Sequence, residues 1–397
     1  MKILFISKYP PIEGGVSARN YWLAKALGER GVEVSIITNA LQVETEYREE
    51  MYSEGEQIFE ELQPKNVFFN SLNQKPPAHI PYSEAYLSRL INLGLKVIGQ
   101  KGADVIYTHY LEPYAAAGYI LKQMTGLPLV VKHAGSDIYR LLKNPDYRYF
   151  LGRVISGADR FLSFGTVASM AESMGLEKEK IVAIPSAIDT AAFSPDGPKF
   201  NFAGKGFTIP PGVPIITYIG KAQRDKGLEE ILEALSGMSA NFRLVMVSKG
   251  PLLERFIAKA TEIGIKDKVI HLGFVPPWEI PKILRASDLL LHLENNFSIP
   301  IHGPQQPYEA IACRTPLLLS GEGFKKMQVR FPVNSKDFMV VPDPKEISSL
   351  RETFERFFVS PDVFKKSAAN LYEEFISKND WDKNITSYIK LFESLKK

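Results

Sequence analysis

Two lysines five residues apart carry the first chemistry that this sequence suggests. Lys221 and Lys226 lie in Gly220-Lys221-Ala222-Gln223-Arg224-Asp225-Lys226-Gly227, after the apolar run Ile215–Ile219 and before the helically spaced Leu228–Leu235. Ammonium groups beside glycine turns and a helix N-terminus suit a diphosphate. Ordinary surface lysines are the alternative reading. The second stretch, Ser298 to Ser320, begins as a Pro- and Gly-punctuated loop. Pro307 has a fixed φ and no N–H, so it fits a first helical position. Tyr308–Cys313 follows as a short buried helix, with Glu309 in its first turn. A carboxylate there can accept two hydrogen bonds from a ribose diol, or it can simply complement the helix dipole. His109 and His133 each end an apolar run, where open parallel sheets collect ligands. A structural role is the alternative for each, and Asp137 reads equally well as a helix cap.

Alternating apolar runs and helically spaced stretches must position these residues. Ile3–Ser7, Val32–Thr38, Asp104–Tyr107, Leu129–Lys132, Arg160–Phe164 and Ile181–Ile184 read as strands of a first half. Gly14-Gly15 marks the first turn, and Ala18–Arg30 the first helix. Further helices are read over Ser83–Gly99, Tyr114–Met124 and Pro145–Ser156, the last with Asn144 placed to cap it. The stretch from Asp196 to Pro214 is rich in Gly, Pro and Lys without a period and reads as a linker. The second half restarts the same grammar. Its loops Gly220–Gly227, Ser248–Pro251, Phe274–Pro276 and Ile301–Glu309 follow successive strands. Trp381–Leu395 is a terminal amphipathic helix. Two Rossmann-like domains follow from this alternation.

Bulk properties narrow the classes. At 397 residues the chain exceeds one ordinary core. A net charge of +3 without a clustered basic stripe speaks against a nucleic-acid partner. The single Cys313 excludes an internal disulfide and a Cys-based metal site, and reads as a small core residue. The start MKILFIS runs directly into a strand pattern and no run of 18 apolar residues occurs, so a cytoplasmic protein is expected. The Leu-rich Ser83–Gly99 suits a core-facing helix, with peripheral membrane contact as its alternative.

Five motifs in order resemble the retaining glycosyltransferases of family 4. They are Gly14-Gly15 with its following helix and Val32-Glu33-Val34, His133-Ala134-Gly135-Ser136-Asp137, and Pro185-Ser186-Ala187-Ile188-Asp189 with Phe193 and Pro195. Gly220-Lys221 with Lys226-Gly227 and Glu309-Ala310-Ile311-Ala312-Cys313-Arg314-Thr315-Pro316 complete the series. The resemblance implies an α/β GT-B fold: two facing Rossmann-like domains, a central cleft, and a C-terminal helix crossing back to the N-domain. It implies an acceptor domain at 1–195, a linker at 196–214, a nucleotide-sugar domain at 215–375 and the crossing helix at 376–397. Lys221 and Lys226 would stabilise the departing diphosphate, and His133 would contact the transferred sugar. Glu309 would hold the ribose, and backbone around Val275 would meet the base. Gly220, Gly303, Pro304 and Gln305 would complete the donor side, and Gly14, Gly15 and His109 the acceptor side. The implied partners are a nucleotide-diphosphate sugar and a sugar, lipid or polyol acceptor, with no metal and no cofactor.

The departures from the family pattern are specific. Lys221 stands where arginine is usual, keeping charge but losing the bidentate fork. Ser186 replaces an asparagine. Arg314 replaces a glycine, which implies a different turn. Ile301 occupies the place of a usual second glutamate, in a loop longer than usual. Three outcomes are open: a donor lacking a hydroxyl there, replacement by Glu294, Asn295, His302, Gln305 or Gln306, or lost catalysis. The extra loop length and its polar residues favour replacement. A GT-B-like nucleotide-sugar epimerase and a non-catalytic nucleotide-sugar-binding protein are the rival readings. The first would need additional carboxylates, of which no clear set is visible.

Overall fold

Short runs rich in Ile, Val and Leu become parallel strands buried on both faces, as continuous apolar patterning requires. The computed structural model describes residues 1–40, 48–49, 59, 61–72, 86–297, 303–330 and 337–396. The chain divides into two units: Met1–Ser186 with Asp382–Lys397, and Ala187–Trp381.

Among the described residues, the first unit holds a seven-stranded parallel sheet. Its strands are β1 (Lys2–Ser7), β2 (Glu33–Thr38), β3 (Val67–Ser71), β4 (Val105–His109), β5 (Leu129–Lys132), β6 (Arg160–Leu162) and β7 (Ile181–Val182). Their order is β3-β2-β1-β4-β5-β6-β7, with Ser7 beside His109 in register. The order reverses between β1 and β4, which opens a crevice at their carboxyl ends. The connecting helices are α1 (Gly15–Glu29), α2 (Tyr86–Lys101), α3 (Ala116–Thr125), α4 (Ser136–Leu141), α5 (Pro145–Ser156) and α6 (Gly165–Ser173). Leu90, Val97, Leu121 and Val154 pack with Ile106, Leu129 and Phe161 of the strands. Asn144 caps α5 by accepting from the Asp146 N–H at 3.0 Å. The helix expected from Tyr114 instead starts as a π-helical turn, Leu111–Ala115. The expected strand to Ile184 ends at Val182.

The second unit repeats the design with β8 (Ile215–Ile219), β9 (Arg243–Val247), β10 (Val269–Leu272), β11 (Leu289–His292), β12 (Leu317–Ser320) and β13 (Met339–Val341). The order β10-β9-β8-β11-β12-β13 places the reversal between β8 and β11. Its helices are α7 (Leu228–Leu235), α8 (Leu253–Glu262), α9 (Ile280–Ala286), α10 (Gln306–Ala312), α11 (Gly321–Arg330), α12 (Ile347–Val359) and α13 (Pro361–Lys378). Ile231, Leu235, Phe242, Phe354 and Phe364 are among its core residues.

The stretch 196–214, expected as a linker, is part of this second unit. Phe200 and Phe202 are buried, and the Phe200 N–H donates to the Lys282 carbonyl at 3.0 Å. Arg285 ties the preceding chain down by donating to the carbonyls of Ala192, Ser194 and Pro198. Two aromatic anchors and one arginine thus outweigh the Gly/Pro composition that suggested a linker. The last helix, α14 (Trp381–Glu393), returns to the first unit. Its Tyr388 and Phe392 rings meet Tyr107 of β4 at 6.3 and 5.8 Å between centroids. No helix among the described residues is long and apolar enough to cross a membrane.

Candidate active site

The second unit gathers charge at its sheet reversal. Gly220 and Lys221 follow β8 directly, and Lys221 is half-buried. Its carbonyl accepts from the Tyr218 hydroxyl at 2.8 Å, which fixes the start of the loop. A turn at Arg224–Lys226 then brings Lys226 back over the sheet edge. Gly227 has φ +71, and a Cβ there would lie 2.9 Å from the Leu293 Cβ and carbonyl oxygen. The position therefore needs glycine, because both conformation and space exclude a side chain. Across the crevice, the chain leaving β11 reaches Glu294, whose side chain is 2% exposed. Its Oε1 receives the Lys226 ammonium. The Asn295 N–H donates to the Asp225 carbonyl at 3.0 Å, stitching the two loops together.

Glu294 also meets a second cation that no local motif announces. Lys326 of α11 approaches Glu294 Oε2 at 3.3 Å and Glu322 Oε1 at 2.6 Å. Both ammonium groups lie over the Phe297 ring, at 4.1 Å for Lys226 and 4.8 Å for Lys326. Cations over an aromatic face are attracted to its negative quadrupole. His292 Nε2 is 3.9 Å from Glu294 Oε1. In the sequence Lys326 shows only an i,i+4 spacing from Glu322, which reads as an ordinary helix-surface pair. Glu294 was one of several polar residues in its loop, and its lysine partners are 68 and 32 residues away along the chain.

The other residues expected on the donor side lie on loops of the second unit and in the first turn of α10. Val275 is buried after β10. Glu309, in the first turn of α10, is 9% exposed. Gln305 is the residue before α10, and its carbonyl accepts from the Tyr308 and Glu309 N–H groups. Gly303 and Pro304 precede it, Pro304 buried and Gly303 half-buried. Ile301 and His302 lie outside the described residues. Cys313 is buried, and burial pushes its thiol up to about 12, so it is a core residue rather than a nucleophile. The turn at Arg314 is not altered as expected: φ is +53, the left-handed value that a glycine favours. Arg314 pairs with Glu373 at 2.6 Å and covers the Tyr372 ring at 4.1 Å.

In the first unit the reversal is filled by neutral groups. Asn20 of α1 donates to Ser7 Oγ and, at 2.9 Å, to the Lys8 carbonyl. Its Oδ1 faces His109 Nδ1 at 2.8 Å, which selects the tautomer with the proton on Nδ1. His109 is 1% exposed, and burial followed by the nearby Lys132 and Arg19 charges lowers its pKa well below the usual range. The ring lies in a buried network in which its Nε2 has no hydrogen-bond partner among the described residues. Gly14, with φ +111, and Gly15 begin α1, and a Cβ at either would meet nothing within 4 Å. Both glycines are exposed among the described residues.

His133 follows β5. Its Nδ1 accepts from the Gly135 N–H at 3.1 Å, so the proton resides on Nε2, which faces Ser163 Oγ at 3.1 Å. Its ring stacks on Phe161 with centroids 5.7 Å apart. Ser163 had no signal in the sequence beyond its place at a strand end. Asp137 holds two loops rather than a ligand. It accepts from Ala134 and Ile138 at 3.0 and 2.9 Å, and from Leu111 at 3.0 Å. Burial outweighs these donors and raises its pKa to about 6.

Comparison with known proteins agrees with this division. Residues 202–373 match the model of the glycosyl transferases group 1, and residues 14–187 match that of the glycosyl transferase 4-like domain. A D-inositol 3-phosphate glycosyltransferase of Acidothermus cellulolyticus is 24% identical, over 80% of this chain and 72% of its own. An N-acetyl-alpha-D-glucosaminyl L-malate synthase of Bacillus anthracis is 24% identical, over 79% of this chain and 77% of its own. Among solved structures, sucrose-phosphate synthase from Thermosynechococcus elongatus superposes with a TM-score of 0.69 at 16% identity, covering 100% of this chain and 99% of that one. Anabaena HepE in complex with UDP and glucose gives 0.66 at 17% identity, covering 99% of this chain and 100% of that one. The two α/β sheets and these neighbours identify the GT-B fold.

Proposed function

This chain belongs to the glycosyl transferases group 1 and transfers sugar from a nucleotide-sugar, and from that premise we propose a metal-independent, retaining reaction on an anionic polyol-like acceptor. The observation that carries the leaving-group chemistry is the pair Lys221 and Lys226 at the β8–β11 reversal. Two ammonium groups there supply the charge that a divalent cation supplies elsewhere. Glu309 accepts the ribose hydroxyls, and the backbone at Val275 meets the base. Gly220 and the segment Gly303, Pro304 and Gln305 complete the donor side. In the first unit, His133 keeps its Nε2–H as a donor for a sugar hydroxyl, in exchange for Ser163.

The bond between the anomeric carbon and the diphosphate oxygen breaks as the acceptor oxygen bonds to the same face of that carbon. The acceptor proton passes to the leaving phosphate oxygen, so no carboxylate pair of the glycosidase type is required. Among the described residues nothing lies within 4 Å of a Cβ built on Gly14 or Gly15 at the N-terminus of α1, which favours an anionic group on the acceptor. The names of two relatives, with D-inositol 3-phosphate in one and L-malate in the other, support that class.

A screen of labelled UDP-, GDP- and ADP-sugars against inositol phosphate and malate, with and without EDTA, tests this reading. Transfer with the anomeric configuration kept, and undiminished in EDTA, is the expected result. Activity abolished by EDTA and restored by Mg²⁺ would refute the lysine-based chemistry. Epimerised donor without transfer would refute the reaction itself.

A further inference from the structure

Glu294 and Lys326 belong to no motif that carries the donor chemistry, yet they surround one of its lysines. Glu294 is a buried carboxylate whose two oxygens face two different ammonium groups: Oε1 takes Lys226 and Oε2 takes Lys326 at 3.3 Å. The lysine side chains are 14% and 10% exposed, and Phe297 lies beneath both. Glu322 holds Lys326 from its other side at 2.6 Å. The four charges sum to zero, so the cluster is balanced while no anion is bound. A single carboxylate facing Lys226 alone would hold it tightly and compete with any incoming phosphate. A buried charge left without a partner is costly, so Lys226 could leave it only at a penalty. Lys326 lowers that penalty, because Glu294 keeps one ammonium partner, shared with Glu322, when Lys226 turns to a ligand.

We propose that Glu294 and Lys326 are positioning residues for Lys226: Glu294 pre-sets the ammonium at the sheet reversal, and Lys326 keeps Glu294 neutralised so that Lys226 is released to the donor diphosphate. This inference rests on the reading of Lys226 given above. It also assigns Glu294 a task other than receiving sugar hydroxyls. Lys326 acts through Glu294, so its influence depends on the carboxylate. That dependence separates positioning from direct phosphate contact and from simple packing.

The test is a double-mutant cycle on the full chain, read by calorimetric titration with UDP, ADP and GDP, the tightest of the three being carried forward. Melting temperatures and circular dichroism verify folding. Lys326→Met should weaken nucleoside diphosphate binding about tenfold, the scale of one charge-assisted contact, and Lys326→Arg should restore it to within about threefold. In a Glu294→Gln background the same Lys326→Met change should matter less than about threefold. A tenfold loss in both backgrounds would mean direct contact with phosphate and would overturn the proposal. No loss in either would reduce Lys326 to packing and overturn it equally. Should Lys326→Met alone not fold, Lys326→Gln takes its place in both backgrounds, with the same outcomes expected. Wild-type protein that binds none of the three nucleotides would refute the donor-site reading itself. Normal wild-type binding with a failed cycle refutes only the positioning role.

Discussion

The two units share a strand order around their reversals, 3-2-1-4-5-6 within each, but fill those reversals with opposite chemistry. Between β1 and β4 lie Ser7, Asn20 and His109, all buried, uncharged and bonded to one another or to backbone. Between β8 and β11 lie Lys226, Glu294 and Lys326, which are ionic, the lysine side chains 14% and 10% exposed. The neutral network pairs His109 Nδ1 but leaves His109 Nε2 without a hydrogen-bond partner among the described residues. The charged one holds two ammonium groups around one carboxylate. The same fold thus carries a neutral cluster at one reversal and an ionic cluster at the other. Fold alone does not choose between them; the side chains at the reversal do.

The units differ also in how they are closed, and the largest expected effect follows from that. The first unit depends on α14, whose Ile385, Tyr388 and Phe392 are buried against it. Truncation after Ile376 removes all three, each worth about 2–5 kcal/mol, against a typical domain stability of about 5–15 kcal/mol. Calorimetry should show the first unit's transition lost and a second transition kept. An unchanged thermogram would show that α14 is dispensable.

A smaller effect contrasts the buried carboxylates. Glu294 faces ammonium groups, whereas Asp137 faces only backbone N–H groups. Asp137 has a folded pKa of about 6, above the ordinary value near ~3.9. Between those values the folded state binds more protons than the unfolded one. Its contribution to stability is therefore present at about pH 4 and lost as pH rises through about 6. Relative to Asp137→Asn, wild-type protein should lose about 2–3 kcal/mol between pH 4 and 7. Parallel stability curves for the two proteins would contradict this assignment.

The smallest effect concerns Arg314. Its left-handed backbone costs about 1 kcal/mol, and its exposed pair with Glu373 returns about 0–1 kcal/mol. Arg314→Gly should therefore leave stability within about 1 kcal/mol of wild type, while Arg314→Ala, which keeps the strain without the pair, should be the less stable variant in urea titrations. The reverse ranking would mean that the turn tolerates a side chain without strain.

Local signals in the sequence reveal much of this architecture. Strand runs, the Asn144 cap and the glycine-flanked lysines are each contained within a dozen residues, and each folds as its own pattern dictates. What depends on distant partners is not visible. The Lys226–Glu294 pair spans 68 residues, and Lys326 reaches Glu294 from 32 residues away. The stretch 196–214 misleads because composition conceals the buried Phe200 and Phe202. Arg314 misleads in another way: the fold imposes the glycine-like turn on a residue that resists it. His109 reads as a site residue by its strand-end position, and only Asn20 from α1 shows that it is enclosed.

Whether the β8–β11 reversal holds the donor diphosphate is decided most directly by donor kinetics of two variants side by side. Lys226→Ala leaves Glu294 paired with Lys326, so the unit keeps its fold. It should lower kcat/KM for the identified donor by at least ~10²-fold, the scale of losing one preorganised charge at a developing anion. Asn20→Ala, at the other reversal, should leave donor KM within about twofold. Wild-type rates in Lys226→Ala, or a donor KM that rises in Asn20→Ala instead, would contradict the division of labour between the two units.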